Sequence, residues 1–560
     1  MDASSTSVLF LCALLTLLIH LYQRARASRA KLPPGPNGLP IIGNIHQFSA
    51  LKAYPQFHEW AKQYGEIFYL RLGPQNVVVL NSAAAADELL SNRSKDYSGR
   101  ATPHVAQDLM SEGQRMVLMP HDRAQKIVRR NITGAIGPTG APFKFIRRFL
   151  ELEAVTLLRD FLDYKERDLG EYEALRAHTG SFVPEDHWFS LFRRYTTSNV
   201  MTLTYGKRIH KIQNNPRLHK IYDVVTKFVQ VSQPGNYLAD AFPILRSLPD
   251  FLAPWRSEGR EMQLWGGLLS EQQEMYKAGI HRDCFVSSYL KLRAEAGLEH
   301  SPGHGITEDG WMKDELLAYT AATILEAGSD TTASSLQSFV LLMLSHPQVM
   351  AKAREEIDSV IGPERMPTLE DESRLPYLVA CVKETLRRRP AIIMGVPHKA
   401  EKDDVYKRYF IPKDTTVIGN IWAIHMDPEL YPDPKSFRPE RFYKPGEPTS
   451  WGTGPSSVGR DHYAFGWGRR FCLGPHVAEL SMFIVCARVL WAFDFACPPG
   501  YPVPDINDEQ DSWSDGFISV AKVFPVNWTP RSPAKEAFIR QKYEEIQADW
   551  SLEGFAEDAR

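Results

Sequence analysis

Residues 465–474 read Phe-Gly-Trp-Gly-Arg-Arg-Phe-Cys-Leu-Gly. One cysteine, Cys472, sits in a glycine-rich loop with Arg470 two positions ahead of it. Such a loop can hold a thiolate against a metal, because glycines let the backbone turn tightly and aim N–H groups at the sulfur. An apolar run follows over 477–493. A helix opening just after Gly474 would point its positive end at the sulfur and lower the cysteine pKa. Phe465 and Phe471 would shield the sulfur from water. The competing reading is a buried structural cysteine in a turn, since free cysteine is among the most buried residue types.

A second group of reactive types lies far upstream, in Ala327-Gly328-Ser329-Asp330-Thr331-Thr332. A glycine inside a helix costs about 1 kcal/mol relative to alanine, so it has a local reason. Here Gly328 would let a ligand approach the backbone. Asp330 and Thr331 place a carboxylate beside a hydroxyl in an otherwise apolar stretch. That pair can relay protons to a reacting group while bulk water is kept out. Alternatively, Thr331 bonds back to a preceding carbonyl and bends the helix. Glu384 and Arg387, three apart, share a helix face and can pair. An exposed pair of that kind contributes only about 0–1 kcal/mol. Pro439-Glu440-Arg441-Phe442 stands downstream of it.

Taken together, these stretches resemble the cytochrome P-450 family. Its haem-binding signature, F-x-x-G-x-R-x-C-x-G, is matched at every fixed position by Phe465, Gly468, Arg470, Cys472 and Gly474. Residues 327–332 look like the family's [AG]-G-x-[DE]-T-[TS] motif, and Glu384 to Arg387 and 439–442 look like its E-x-x-R and P-E-R-F elements. The resemblance covers roughly residues 32–531. It implies a mainly α fold with a small β-rich region, wrapped around a buried haem b. It implies Cys472 as the axial ligand of the haem iron, with Arg470 and His398 on the propionates. Thr331 would stand beside bound O2, Asp330 would be the acid of the proton relay, and Glu384, Arg387 and Arg441 would form a buried network locking the cysteine loop. One departure stands out. Many members carry W-R-x-x-R on an earlier helix, whose first two residues bind a propionate. Here Gln125 and Lys126 occupy those places and Arg129 the last. Lys126 is a point charge, not a planar fork, which weakens that propionate contact and leaves Arg129 and Arg130 as the further candidates.

The elements that must position these residues follow from the rest of the chain. Hydrophobic residues make up 43% of the 560 and charged residues 24%, which is globular composition. Lys plus Arg (65) nearly balances Asp plus Glu (67), which gives no electrostatic reason for a nucleic-acid partner. The six cysteines are scattered, with no Cys-x-x-Cys pair, as expected of free thiols in a reducing compartment. Residues 3–23 carry no Asp, Glu, Lys or Arg and are long enough, as a helix of about 31 Å, to span a bilayer core. Arg24, Arg26, Arg29 and Lys31 follow at once, so the body is expected on the cytosolic side. A cleaved secretory peptide would carry its positive charge before the apolar run instead. Leu32-Pro33-Pro34-Gly35-Pro36 then forms a stiff joint. Helices are expected at 311–345, 347–362, 376–389 and 535–550, and strands at 67–72, 77–80 and 415–421. The division is an anchor at 1–31, a catalytic body at 32–531 and a helical tail at 532–560, whose stripe Ile539, Tyr543, Ile546 and Trp550 should pack on the body.

The expected function is a membrane-bound haem-thiolate monooxygenase of the endoplasmic reticulum. It would insert one atom of O2 into an apolar small molecule. No flavin segment follows the cysteine loop, so electrons are expected from NADPH through a separate reductase. Lys126, Arg129, Arg130 and Arg469 are candidates for its docking face. Finer similarity, in 193–196, 203–208, 234–237 and 248–252, points to fungal enzymes of secondary metabolism of the O-methylsterigmatocystin oxidoreductase type. Ile392, Ile393, Met394, Val396 and Phe517 are candidate pocket residues. Two rivals are a haem-thiolate isomerase or dehydratase that uses no O2, and a haem-binding membrane protein without turnover. The threonine relay argues against the first and the complete cysteine loop against the second. The sequons at Asn92, Asn131 and Asn527 should carry no glycan if the body is cytosolic.

Overall fold

Proline and acidic residues set the helix starts. Pro347, Pro376 and Pro475 each stand at the first position of a helix, where a missing N–H costs nothing. Asp314 and Glu315 occupy the first turn of the longest helix and complement its positive end. The computed structural model describes residues 31–49, 52–172, 184–213, 215–232, 236–257, 262–455, 460–552 and 555. The expected membrane span at 3–23 lies outside the described residues. The helices that frame the interior are α1 (Arg123–Ile136), α2 (Ala141–Asp163), α3 (Trp188–Tyr205), α4 (Pro216–Val231), α5 (Asp314–Ser345), α6 (Pro347–Ile361), α7 (Pro376–Arg388), α8 (Pro475–Ala492) and α9 (Pro533–Leu552).

The fold is mainly helical, as the resemblance implies. Helix α5 crosses the interior and packs along α3, and nearly all of its residues are buried. It starts three residues later than the hydrophobic pattern suggests. Met312 is held outside it, because its N–H donates to Tyr289 Oη at 2.7 Å and its backbone bridges Ile306. Helix α8 is apolar on all sides and lies in the same core. It is the one helix among the described residues long and apolar enough to cross a membrane, yet 83% of it is buried inside the protein. Helix α6 orders α7 directly: the Glu356 carboxylate accepts from the N–H groups of Tyr377 and Leu378, at 2.8 and 2.9 Å. That satisfies two donors every helix N-terminus leaves open.

A five-stranded sheet closes one side. Its strands are β1 (Ile67–Leu72), β2 (Gln75–Leu80), β3 (Gly99–Arg100), β4 (His398–Lys399) and β5 (Thr416–Gly419), in the order β1-β2-β5-β4-β3. The pair β2–β5 is parallel and the others antiparallel. The strand expected at 415–421 is cut short because Asn420 turns to cap a brief helix, accepting from Ala423 N at 3.2 Å. In β3–β4 the register sets Arg100 opposite His398.

The tail does not stand apart. Ile539, Ile546 and Trp550 of α9 are buried in the main core, and Trp550 stacks on Phe149 of α2 with ring centres 5.2 Å apart. Tyr543 takes the Arg159 guanidinium over its ring at 4.4 Å. The stripe packs on the body, as its spacing predicts.

Candidate active site

The cysteine loop is built by backbone geometry. Gly466 and Gly468 have φ of 77° and 49°, in the left-handed region. At Gly468 even a Cβ would meet Leu90 O at 2.1 Å, so only glycine fits. The turn brings Cys472 N to Phe465 O at 2.9 Å, and Gly474 N donates to Cys472 Sγ at 3.4 Å. Helix α8 starts three residues later, as the sequence suggests. Phe465 and Phe471 meet edge to face, 6.3 Å apart. The sulfur is reachable by solvent only because it faces an internal cavity; electrostatically the thiol is buried. Burial raises its pKa, against the Gly474 N–H and the Arg129 charge, which lower it. A metal on the sulfur would supply the missing stabilisation of the thiolate.

The cavity is mostly apolar and is walled by α1, α3, α5, the cysteine loop and the start of α8. Gly328, Thr331, Thr332, Ile392 and Val396 all line it. Ile393 and Met394 do not; they pack with Tyr54 and Trp422 on the far side of their strand-like segment. Phe517 is also outside the lining.

Three arginines border the same cavity: Arg100, Arg129 and Arg470. Arg470 donates to the carbonyls of Ser98 and Met119, at 2.8 and 2.7 Å. Arg100 donates to those of Val117, Val396 and Pro397, at 3.1, 2.8 and 2.9 Å. Arg129 donates to Phe471 O. None of the three has a carboxylate partner among the described residues. Burial pushes Arg470 down to about 10, with Arg129 beside it adding to the shift. Burial likewise lowers Arg129 and, helped by Arg470 and Arg129, brings Arg100 well below its ordinary value. Uncompensated buried cations on one apolar cavity call for an anion. The two carboxylates of a haem, with its iron over Cys472, meet that need, so the residues present fit the group.

His398 lines the cavity with Nδ1 2.7 Å from Tyr97 O. That bond places the proton on Nδ1 and leaves Nε2 to the cavity side. Burial, with Arg100 next in effect, drives its pKa far down. Arg100 itself was not foreseen in the sequence. Its only signal is the β3–β4 pairing, which no local motif announces. Lys126 departs from expectation. It lies on the exposed face of α1, in a shallow surface depression with Arg123 and Arg130, because α1 turns Ile127, Val128 and Arg129 inward instead. Gln125 is buried with Nε2 unpartnered, but it is not in the cavity wall.

The two relay residues are held differently. Thr331 lines the cavity while its hydroxyl donates to Ala327 O at 2.6 Å, the back-bond weighed from sequence. Asp330 does not reach the cavity. Both its oxygens are taken by Arg193 of α3, at 2.7 and 3.1 Å, and that guanidinium lies 3.6 Å from the Tyr222 ring centre on α4. Gly328 has a packing reason as well as an open face: a Cβ there would meet Val200 Cγ2 of α3 at 2.5 Å.

Glu384, Arg387 and Arg441 are brought together in one network. Arg387 donates to both Glu384 oxygens at 2.7 and 2.8 Å, and to His425 O at 2.8 Å. Arg441 adds a bond to Glu384 Oε1 at 3.2 Å, and the Arg438 N–H another at 2.9 Å. Glu384 and Arg387 are fully buried.

Comparison with known proteins agrees with this geometry. The sequence model of the family described as cytochrome P450 matches residues 33–522. Cytochrome P450 monooxygenase 231 of Postia placenta is 51% identical over the whole of both chains. Cytochrome P450 monooxygenase 69 of the same fungus is 52% identical over 95% of each. Cytochrome P450 monooxygenase fogE of Aspergillus ruber is 35% identical over 97% of this chain and 95% of its own.

Proposed function

Since the chain belongs to the cytochrome P450 family, we propose that it is a membrane-anchored monooxygenase that oxidises an apolar small molecule, an intermediate of fungal secondary metabolism. One observation carries the reading: the Cys472 sulfur and three arginines without carboxylate partners border a single apolar cavity. A haem bound there supplies the iron at which O2 is activated. Cys472 would ligate that iron as thiolate and lend it electron density. Arg100, Arg129 and Arg470 would hold the propionates, with His398 beside them. The apolar walls keep water from the reacting region. Thr331, the neighbour of Asp330 in sequence, lines the cavity on α5 together with Thr332, and its Oγ1 would be where a proton is held. For Asp330 to pass a proton to it, the carboxylate must release at least one oxygen from Arg193.

Electrons come from NADPH through a separate reductase. Lys126, Arg130 and Arg469 are exposed and suit its docking face with Arg123; Arg129 faces inward and does not. The apolar segment at 3–23 supports an anchor in the endoplasmic reticulum membrane with the body cytosolic.

The test is the absorption spectrum of the reduced, carbon-monoxide-bound protein. The wild type should show the red-shifted thiolate band and Cys472→His should lack it; a wild type that binds no haem overturns the proposal. Product formation that needs both O2 and NADPH separates oxygenation from isomerisation or dehydration.

A further inference from the structure

Residues 111–119 run along the cavity between α4 and α5, and Met116 and Val117 form part of its wall. The segment is held at two ends. At one end Arg100 donates to Val117 O and Arg470 to Met119 O, at 3.1 and 2.7 Å. At the other, Arg115 is buried in an ion pair with Glu326 of α5. Arg115 Nε also donates to Ser111 Oγ at 3.1 Å, and its guanidinium lies 3.6 Å from the Phe228 ring centre on α4. Glu326 directly precedes Ala327, which lines the cavity. The pair therefore ties the wall segment to two helices at once. Its side chains are 1% and 8% exposed. A pair this deep adds little net stability over apolar side chains of similar size, and its use lies in fixing one arrangement among several.

We propose that the Arg115–Glu326 pair is a specificity-determining latch: it holds residues 111–119 against α5 and so sets how far Met116 and Val117 reach over the cavity, admitting apolar ligands by size. Arg115 and Glu326 act through those two side chains, as positioning residues. The inference rests on the proposed function in taking this cavity as the substrate's. Arg100 and Arg470 hold the same segment but also face the propionates, so the latch is probed at Glu326 alone.

In Glu326→Gln the segment is loosened at its Arg115 end. Two readouts on the full-length protein follow. Amide hydrogen exchange across 104–119 should quicken while that of α8 is unchanged. In the haem-loaded protein, titration with imidazole, 4-phenylimidazole and a biphenyl-substituted imidazole should show the largest probe gaining affinity over imidazole by about fivefold or more relative to wild type. The carbon-monoxide band should stay where it is. The double variant Arg115→Met/Glu326→Leu removes both charges of the pair and should behave alike, which keeps the test open if Glu326→Gln folds poorly. Exchange at wild-type rates, or an unchanged order and spread of affinities, overturns the latch. A wild type without haem would instead overturn the proposed function, and the exchange measurement would still decide whether the pair holds the segment.

Discussion

Asp330 illustrates what a motif conveys and what it omits. The sequence places a carboxylate next to Thr331; it says nothing of Arg193, 137 positions away, which takes both carboxylate oxygens. Asp330→Asn removes the charge at the relay and leaves Cys472 untouched. Turnover with a reconstituted reductase should fall by roughly 10²-fold, with a larger solvent deuterium isotope effect, while the carbon-monoxide spectrum is unchanged. A turnover within about twofold of wild type would remove Asp330 from the proton path. Arg100 is the opposite case. No motif marks it, yet the β3–β4 register sets it opposite His398, 298 positions on, with both at the cavity. Residues in contiguous motifs, such as Phe465 to Gly474, were readable because the chemistry and the turn are encoded within ten positions. Those delivered by strand pairing were not. Lys126 lies on the exposed face because the motif gives its position along α1 but not which way the helix turns it.

Among elements, the α3–α5 contact governs the cavity's shape. Gly328 meshes with Val200, which itself lines the cavity. Gly328→Ala forces a Cβ to within 2.5 Å of Val200 Cγ2, and overpacking of this kind costs about 1–3 kcal/mol. Thermal unfolding should register the loss, and Val200→Ala in the same chain should recover most of it; additive losses would show that the two do not mesh. Helix α7 delivers a different prediction. Glu384→Gln leaves Arg387 and Arg441 without their carboxylate, at a cost of about 3–5 kcal/mol. Denaturant unfolding of the haem-loaded protein should shift by that amount and haem content should drop. Helices α5, α6 and α7 were legible in the sequence to within a few residues, with proline or acidic residues at their starts, whereas α3 was not foreseen. The displaced start of α5 was not, since it depends on the Tyr289 hydroxyl.

At the scale of the molecule, the buried charges are organised in clusters across helices. Glu153 of α2 accepts from Arg194 of α3 at 2.6 Å and from Arg208 at 2.7 Å. Burial alone would raise its pKa, but the Arg208 and Arg194 guanidiniums overcome that and hold it at about 2. Its folded value lies below the ordinary 4.5, so the stability it contributes is complete above that pH and is lost as pH falls from there towards 2. The destabilisation by Glu153→Gln, measured from unfolding midpoints, should therefore be full at pH 6 and shrink below pH 4. A difference that does not depend on pH would show that Glu153 is not held ionised by the two arginines. The body was expected as one unit from the resemblance, not from length; α2, α5, α8 and α9 contribute to one core cluster.

That core also sets a timetable. The face of α2 that carries Phe149 is covered by Trp550, 401 positions downstream, and Cys472 itself lies within the last hundred residues. As the polypeptide leaves the ribosome, its two longest helices, α5 and α2, emerge before Cys472 and before α9. The Phe149 face of α2 therefore stays without its Trp550 cover until α9 has been synthesised.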